Sequence, residues 1–421
     1  MLSKGYSKKS IIFLCSMVYF VSYFSRKDFA AVMAAMISEN AIQRANAGLV
    51  GTMLFAFYGV GQLVSGYLGD KIKPKHLIII GLSATAICNA AMPYLPDAGM
   101  IVVWGINGLA QAMLWPPIVK ILSTYLDHKT YVTAHLIVTS AAHCATVLLY
   151  AYVPLCLTFM SWQAVFTTAS ILAVCSIIVF AVAMSIILPK EAEVVKTDTR
   201  TTVSADVEKC KNDVKILDVL RRSGIFTVFV CIIVVGFLRD GIESWLPTLY
   251  SEAFAKDVSS STLVSIILPI FSILSISIVT VLYRKHVLSN EVSGSAALFG
   301  ISLALAIPLV FLLNNDDAFS RIAALFITAF ICGAMHGVNF LLISCLPGRF
   351  ARVGRSATVS GVCNSCVYVG AAISTYGIAL VSKHMGWSFT AATWCGILAV
   401  GILFALLSYK RYTAMLKETK E

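Results

Sequence analysis

The chain has 421 residues, of which 58% are hydrophobic and only 13% charged. Soluble domains carry about 25% charged residues, so a water-soluble core is excluded and a multi-pass membrane protein is expected. The formal net charge of +11 would suit a nucleic-acid partner, but the placement of the charge along the chain excludes that reading.

Twelve apolar stretches are long enough to cross a hydrocarbon core of ~30 Å as helices. They are residues 11–36, 47–70, 76–95, 100–122, 131–156 and 163–188, then 223–250, 260–283, 293–313, 319–346, 356–381 and 387–409. Helices are expected because lipid offers the backbone no hydrogen-bond partners. The opening "MLSKGYSKKS" looks like the start of a signal peptide. The apolar run that follows outlasts an h-region of ~7–15 residues and ends in no small-residue cleavage site, so it reads as a retained first span.

With the N-terminus inside, the segments on that side hold 24 of the 32 Lys and Arg. The opposite loops hold Arg44, Lys256, Lys383 and, at a span edge, Arg321. That asymmetry places both termini in the cytoplasm, and the basic charge becomes a topology signal. Of twelve cysteines, eleven fall in or at the edge of spans and Cys210 lies in a loop. The "CNSC" at 363–366 sits in an apolar helix and reads as two small packing residues, so neither a disulfide nor a metal is expected.

The polar segment 190–222 divides the spans six and six. It predicts an N-terminal bundle (1–189), a cytoplasmic linker (190–222) and a C-terminal bundle (223–421), an arrangement frequent among transporters built from repeated halves. Into the first span the chain inserts Arg26, Lys27 and Asp28. An ionised group at mid-membrane costs from ~3 to more than 10 kcal/mol. Arginine cannot shed its proton, and Arg26 is too deep to snorkel fully. A shift of about 213 residues carries Arg26 onto Arg239 in "GFLRDGIESW", so a lone arginine recurs at the same depth in the matching helix.

Two readings follow. In the bland one, Arg239 and Glu243 form an i,i+4 ion pair, while Asp28 and Asp240 point elsewhere. In the functional one, the two guanidiniums converge on a central cavity and hold a dianion bidentately. Lys27, ~100° round the helix, serves the cavity or pairs across to another helix. His143 and His336 are candidate ligands whose ordinary pKa would let them track substrate charge. Tyr23, Tyr58 and Trp245 are candidate cavity aromatics, and Gly59, Gly61, Gly66 and Gly69 suit close helix contact.

The loop "GYLGDKIKPK" resembles the signature of the major facilitator superfamily. The resemblance covers the whole chain and implies an all-α membrane protein with twelve transmembrane helices in two pseudo-symmetric six-helix bundles. It also assigns Asp70 and Lys71 to gating contacts, to which Glu243 is added. Four stretches, "YFSRKDF", "QAMLWPPIVK", "SAAHC" and "LRDGIESWLPTLY", further resemble the organophosphate:inorganic-phosphate antiporters. That resemblance implies that Arg26 and Arg239 bind phosphate, that His143 is a ligand, and that Trp115, Pro116, Pro117 and Lys120 form the Trp-Pro-Pro element. This chain departs from the pattern at Gln62, where a lysine is usual, at Thr139 and Ser140, where Trp-Asn is usual, and at Ser244, where an acid is usual. Gln62 remains a candidate substrate contact.

The expectation is a multi-pass carrier in the inner membrane, monomeric, without cofactor. It exchanges a phosphorylated organic anion for inorganic phosphate by alternating access, with no covalent chemistry. Two alternatives stay open: a proton-coupled carrier of organic carboxylates, using Glu243, Asp28 or Asp240, and a sugar-phosphate sensor without net flux.

Overall fold

The computed structural model describes residues 8–187, 224–285, 287–353 and 356–418. The linker 190–222 lies outside them, and of Asp70 and Lys71 only the backbone is described. No strand occurs among the described residues. The first half comprises α1 (Lys8–Ser38), α2 (Arg44–Lys71), α3 (Pro74–Ala91), α4 (Asp97–Ala112), α5 (Trp115–Tyr125), α6 (His128–Phe159) and α7 (Trp162–Ile187). The second comprises α8 (Ile225–Ala253), α9 (Val258–Val264), α10 (Ile267–Arg284), α11 (Glu291–Leu312), α12 (Ala318–Asn339) and α13 (Ser356–Glu418).

Six crossings per half emerge once three features are read together. The span expected at 100–122 is two helices, because Pro116 and Pro117 occupy the first turn of α5. Proline has no N–H to give the preceding turn, but its fixed φ suits a helix start. The span expected at 260–283 breaks likewise between α9 and α10, where Pro269 withholds the bond that Ser265 would accept. Conversely, α13 joins two expected spans and folds back at Gly386, whose φ of 81° lies in the left-handed region. Lipid-facing side chains such as Ile171, Ile178, Ile278 and Leu406 stay exposed on the outer surface, as expected where the solvent is hydrocarbon.

Glycines set the closest approaches inside each half. A Cβ on Gly108 of α4 would overlap the carbonyl of Leu54 on α2. In the second half, Gly236 of α8 lies against the carbonyl of Val367, and Gly370 of α13 lies against that of Ile233. Without a hydrophobic drive between helices in lipid, such backbone contact supplies the packing energy.

The halves touch on one side of the bundle. Thr52 of α2 donates to Ala372 O at 2.7 Å, and Thr262 of α9 donates to Ala31 O at 3.4 Å. Farthest from the termini, Arg44 pairs with Glu252, whose other oxygen accepts from Trp387 Nε1 at 2.8 Å. Hydrogen bonds and ion pairs join the halves at several levels from the depth of Lys27 to this far end. Loops at the far end carry helix caps. Asp257 accepts from Ser260 N at 2.8 Å, and Asp317 accepts from Ser320 Oγ at 2.5 Å and Ser320 N at 3.0 Å. These bonds hold both carboxyls below the usual aspartate range.

Gly236→Ala is expected to lower the melting temperature of the detergent-solubilised protein, at a cost of about 1–3 kcal/mol for overpacking; Gly300→Ala, where a Cβ meets nothing, is the neutral control. The two caps have depressed folded pKa values. Their stabilisation is therefore present above the unfolded value of about 4 and is lost as pH falls through the folded value. Melting below that pH is expected to lose less in the Asp257→Asn/Asp317→Asn double variant than in the wild type.

Candidate functional site

Arg26 stands on α1 where the two halves meet, 8% exposed. Its guanidinium carbon lies 4.1 Å from the ring centroid of Tyr23, one turn back, and 5.1 Å from that of Tyr58 on α2. Tyr58 packs against Tyr368 of α13 at 4.5 Å between centroids, and the hydroxyls of Tyr19 and Tyr23 are 3.5 Å apart. Two phenol rings thus face the cation and replace part of its lost hydration, with Tyr19 and Tyr368 packed behind them. Arg26 Nε has no hydrogen-bond partner. Among the described residues no ion pair joins this arginine to a carboxylate; the nearby acids Glu243 and Asp240 are taken by Lys27, His336 and Arg239.

Arg239 on α8 is held differently. Nη1 donates to Asn339 Oδ1 on α12 and Nη2 donates to Asp240 Oδ2, each at 2.7 Å. The expected pair with Glu243 is not formed. Glu243 is engaged by Lys27, which crosses from α1 in the other half, and by His336 Nε2 at 2.7 Å. Asp240, expected to point elsewhere, takes its place as the acid beside Arg239.

The histidines face each other across the boundary between halves. The His143 and His336 ring centroids are 6.0 Å apart. His143 Nδ1 lies 3.1 Å from the Thr139 carbonyl, which only accepts, so that nitrogen bears the proton. By the same logic His336 carries one on Nε2, against the Glu243 carboxylate. Tyr150 OH donates to the Glu243 carbonyl at 3.2 Å, a contact from α6 onto this turn of α8. Toward the far end, Leu54, Trp104, Ser244, Trp245 and Thr375 line a cavity that begins at Arg26 and Lys27.

Other expected site residues sit apart. Gln62 donates to Ala112 O at 3.4 Å, in the packing of α2 on α4. Trp115 lies against Tyr19 and His135, at 4.7 and 5.2 Å between centroids, and so backs the phenol cluster from outside. Lys120 is exposed. Sequence reading missed Tyr19, Tyr368 and Asn339. Tyr19 had a signal, its i,i+4 spacing to Tyr23; the other two had none. Ligand-type atoms of Glu243, Cys332 and His336 lie within 4.8 Å of one another. The Lys27 ammonium already neutralises that carboxylate, so a metal there would have to displace it.

Two bundles with a buried, cation-rich centre define an integral membrane protein with an interior polar site. The sequence profile of the Major Facilitator Superfamily matches residues 15–375, and the chain belongs to that family. It is similar to a probable hexose phosphate transport protein of Chlamydia trachomatis, 32% identical over 28% of this chain and 26% of that one. It is also similar to the glycerol-3-phosphate transporter of Bacillus subtilis, 26% identical over 55% of this chain and 54% of the other. The matches to the chlamydial proteins span about a quarter of their length. A crystal structure of the nucleoside transporter NupG superposes with a TM-score of 0.71 at 15% identity, covering 96% of this chain and 100% of that one, which shows the shared fold.

Glu243→Gln leaves the Lys27 ammonium buried without its counter-ion, and Lys27→Met leaves the carboxylate. Each single change is expected to cost about 3–5 kcal/mol, and the double change much less than the sum. A double-mutant cycle of melting curves measures the coupling.

Proposed function

We propose that this chain is a secondary carrier that exchanges a phosphorylated organic anion for inorganic phosphate. The observation that carries the reading is Arg26: a permanent cation at membrane depth, faced by phenols and, among the described residues, paired with no carboxylate. Such a group has spare positive charge, and its unpartnered Nε–H is a donor for an incoming anion. Arg239 supplies the second guanidinium from the other half, partly screened by Asp240. The relatives named for hexose phosphate and glycerol-3-phosphate transport support the phosphate class.

The mechanism proposed is alternating access. Contacts between halves from Lys27 to the Arg44–Glu252 pair close the site toward the far end. With both termini cytoplasmic, as the basic loops argue, this is the inward-facing side of the cycle. Phosphate oxygens draw Arg26 and Arg239 together, and the tyrosine hydroxyls turn to donate. The Lys27–Glu243 pair loosens as the anion competes for the ammonium. A ligand shifts such an equilibrium only by its difference in affinity between the two states, and an anion that bridges the halves has that difference. The carrier works as a monomer in the cell membrane. The Glu243–His336 bond favours a second reading, coupling to protons, which predicts transport that collapses with uncouplers.

Proteoliposomes loaded with phosphate and challenged with phosphate esters and carboxylates decide. Ester uptake is expected to require internal phosphate and to survive uncouplers. Arg26→Lys and Arg239→Lys keep the charge and lose the fork. Each is expected to lose about 2 kcal/mol of anion binding, ~30-fold in affinity. Full activity in both variants would sink bidentate phosphate binding, and binding without flux would mark a sensor.

A further inference from the structure

The third charge of the α1 triplet turns away from this site. Asp28 is fully buried; its Oδ1 accepts from Phe29 N at 2.7 Å, and its Oδ2 has no hydrogen-bond partner. Only burial and backbone N–H groups act on it; no charged side chain among the described residues does so. A bare carboxylate at this depth is strongly disfavoured.

Asn89 of α3 and Asn107 of α4, both fully buried, meet one turn before Asp28. Their amide nitrogens donate to the Ser25 carbonyl at 3.2 and 3.4 Å, and Asn89 donates also to Thr85 O at 3.0 Å. Carbonyls only accept, so these bonds fix which way each amide points. The Asn89 and Asn107 Oδ1 atoms are then left buried with no donor. The neighbouring side-chain bonds run from Ser22 Oγ to Gln111 Oε1 at 2.5 Å, from Gln111 Nε2 to Thr85 Oγ1 at 3.3 Å and from Ser25 Oγ to Ala169 O at 3.4 Å, and none of them reaches the three oxygens.

Three helices therefore leave three acceptor oxygens, one of them charged, without a donor. A water molecule offers two protons but no charge. A proton on Asp28 removes the charge and serves one amide oxygen, and it needs a water beside it to serve the other; that pair is the competing occupant. A divalent ion would leave excess positive charge. A small monovalent cation that prefers oxygen ligands satisfies all three and cancels the charge. We propose that this chain binds Na+ inside its first half, between α1, α3 and α4, through Asp28 Oδ2, Asn89 Oδ1 and Asn107 Oδ1. Sodium there pins the turn of α1 that also carries Arg26 and Lys27, and so links cation occupancy to the setting of the anion site.

The test uses the purified full chain in detergent at mildly alkaline pH, with radiolabelled Na+ binding and melting curves in NaCl against choline chloride at equal ionic strength. Saturable binding of one Na+ per chain and a higher melting temperature in sodium are expected. Asp28→Asn and Asn107→Ala are each expected to weaken Na+ binding by about tenfold or more, since even outer-shell partners of a metal are worth ~10–100-fold. Absence of saturable binding by the wild type, or binding unchanged in both variants, overturns the proposal. So does melting that follows pH through Asp28 and ignores sodium, which would assign the residue a proton. If Asp28→Asn does not fold, the wild-type isotherm and Asn107→Ala decide. The readout is independent of any phosphate ester, so failure here leaves the exchange reading standing.

Discussion

Charge in a low-dielectric interior must be answered by something, and α1 presents three ionisable side chains in a row. Successive helical residues point ~100° apart, so no single neighbour can answer all three. Arg26 is answered by aromatic faces, Lys27 by the Glu243 carboxylate of the other half, and Asp28 turns into the polar interior of its own half. The triplet can be accommodated only where α1 touches both halves at once. That requirement sets α1 at the seam between the halves and the candidate site beside it.

The Lys27–Glu243 pair also explains why the second half is arranged as it is. Glu243 has two oxygens, and once Lys27 and His336 hold them, Arg239 needs another acid. Asp240 and Asn339 supply what it needs from within the second half. The two arginines, related by the repeat, are therefore unequal: one is tied to an acid, the other is set among phenols. The phenol-set arginine keeps its charge unpaired, which is what the proposed anion binding calls for. The packing elsewhere makes this asymmetry durable, because glycines at helix crossings bring backbones into contact and leave little room for the helices to rotate.

Much of the fold was legible. The all-helical, membrane-crossing character follows from the cost of exposing backbone and charge to lipid, which is a property of residues one at a time. The helix breaks near Pro117 and Pro269 were legible in principle, since proline acts on its own turn. The depth of Arg26 and Arg239 was legible as an offset of about 213 residues. Partnership was not. An i,i+4 rule selected Glu243 for Arg239, because a local rule cannot see a lysine arriving from a helix more than two hundred residues away. Tyr368 and Asn339 gave no signal, since a tyrosine or asparagine in an apolar helix reads the same whether it faces the core or the site.

What the sequence determined by itself, then, was that charges lie at membrane depth and that the chain crosses and recrosses around them. Tertiary structure decided which opposite charge each one meets, which stays without an acid, and which polar oxygens are left over in the first half. The physical reason is range. Burial in lipid and helix periodicity are set by a residue and its near neighbours in the chain, whereas an ion pair is set by distances of a few ångströms between helices that only folding brings together.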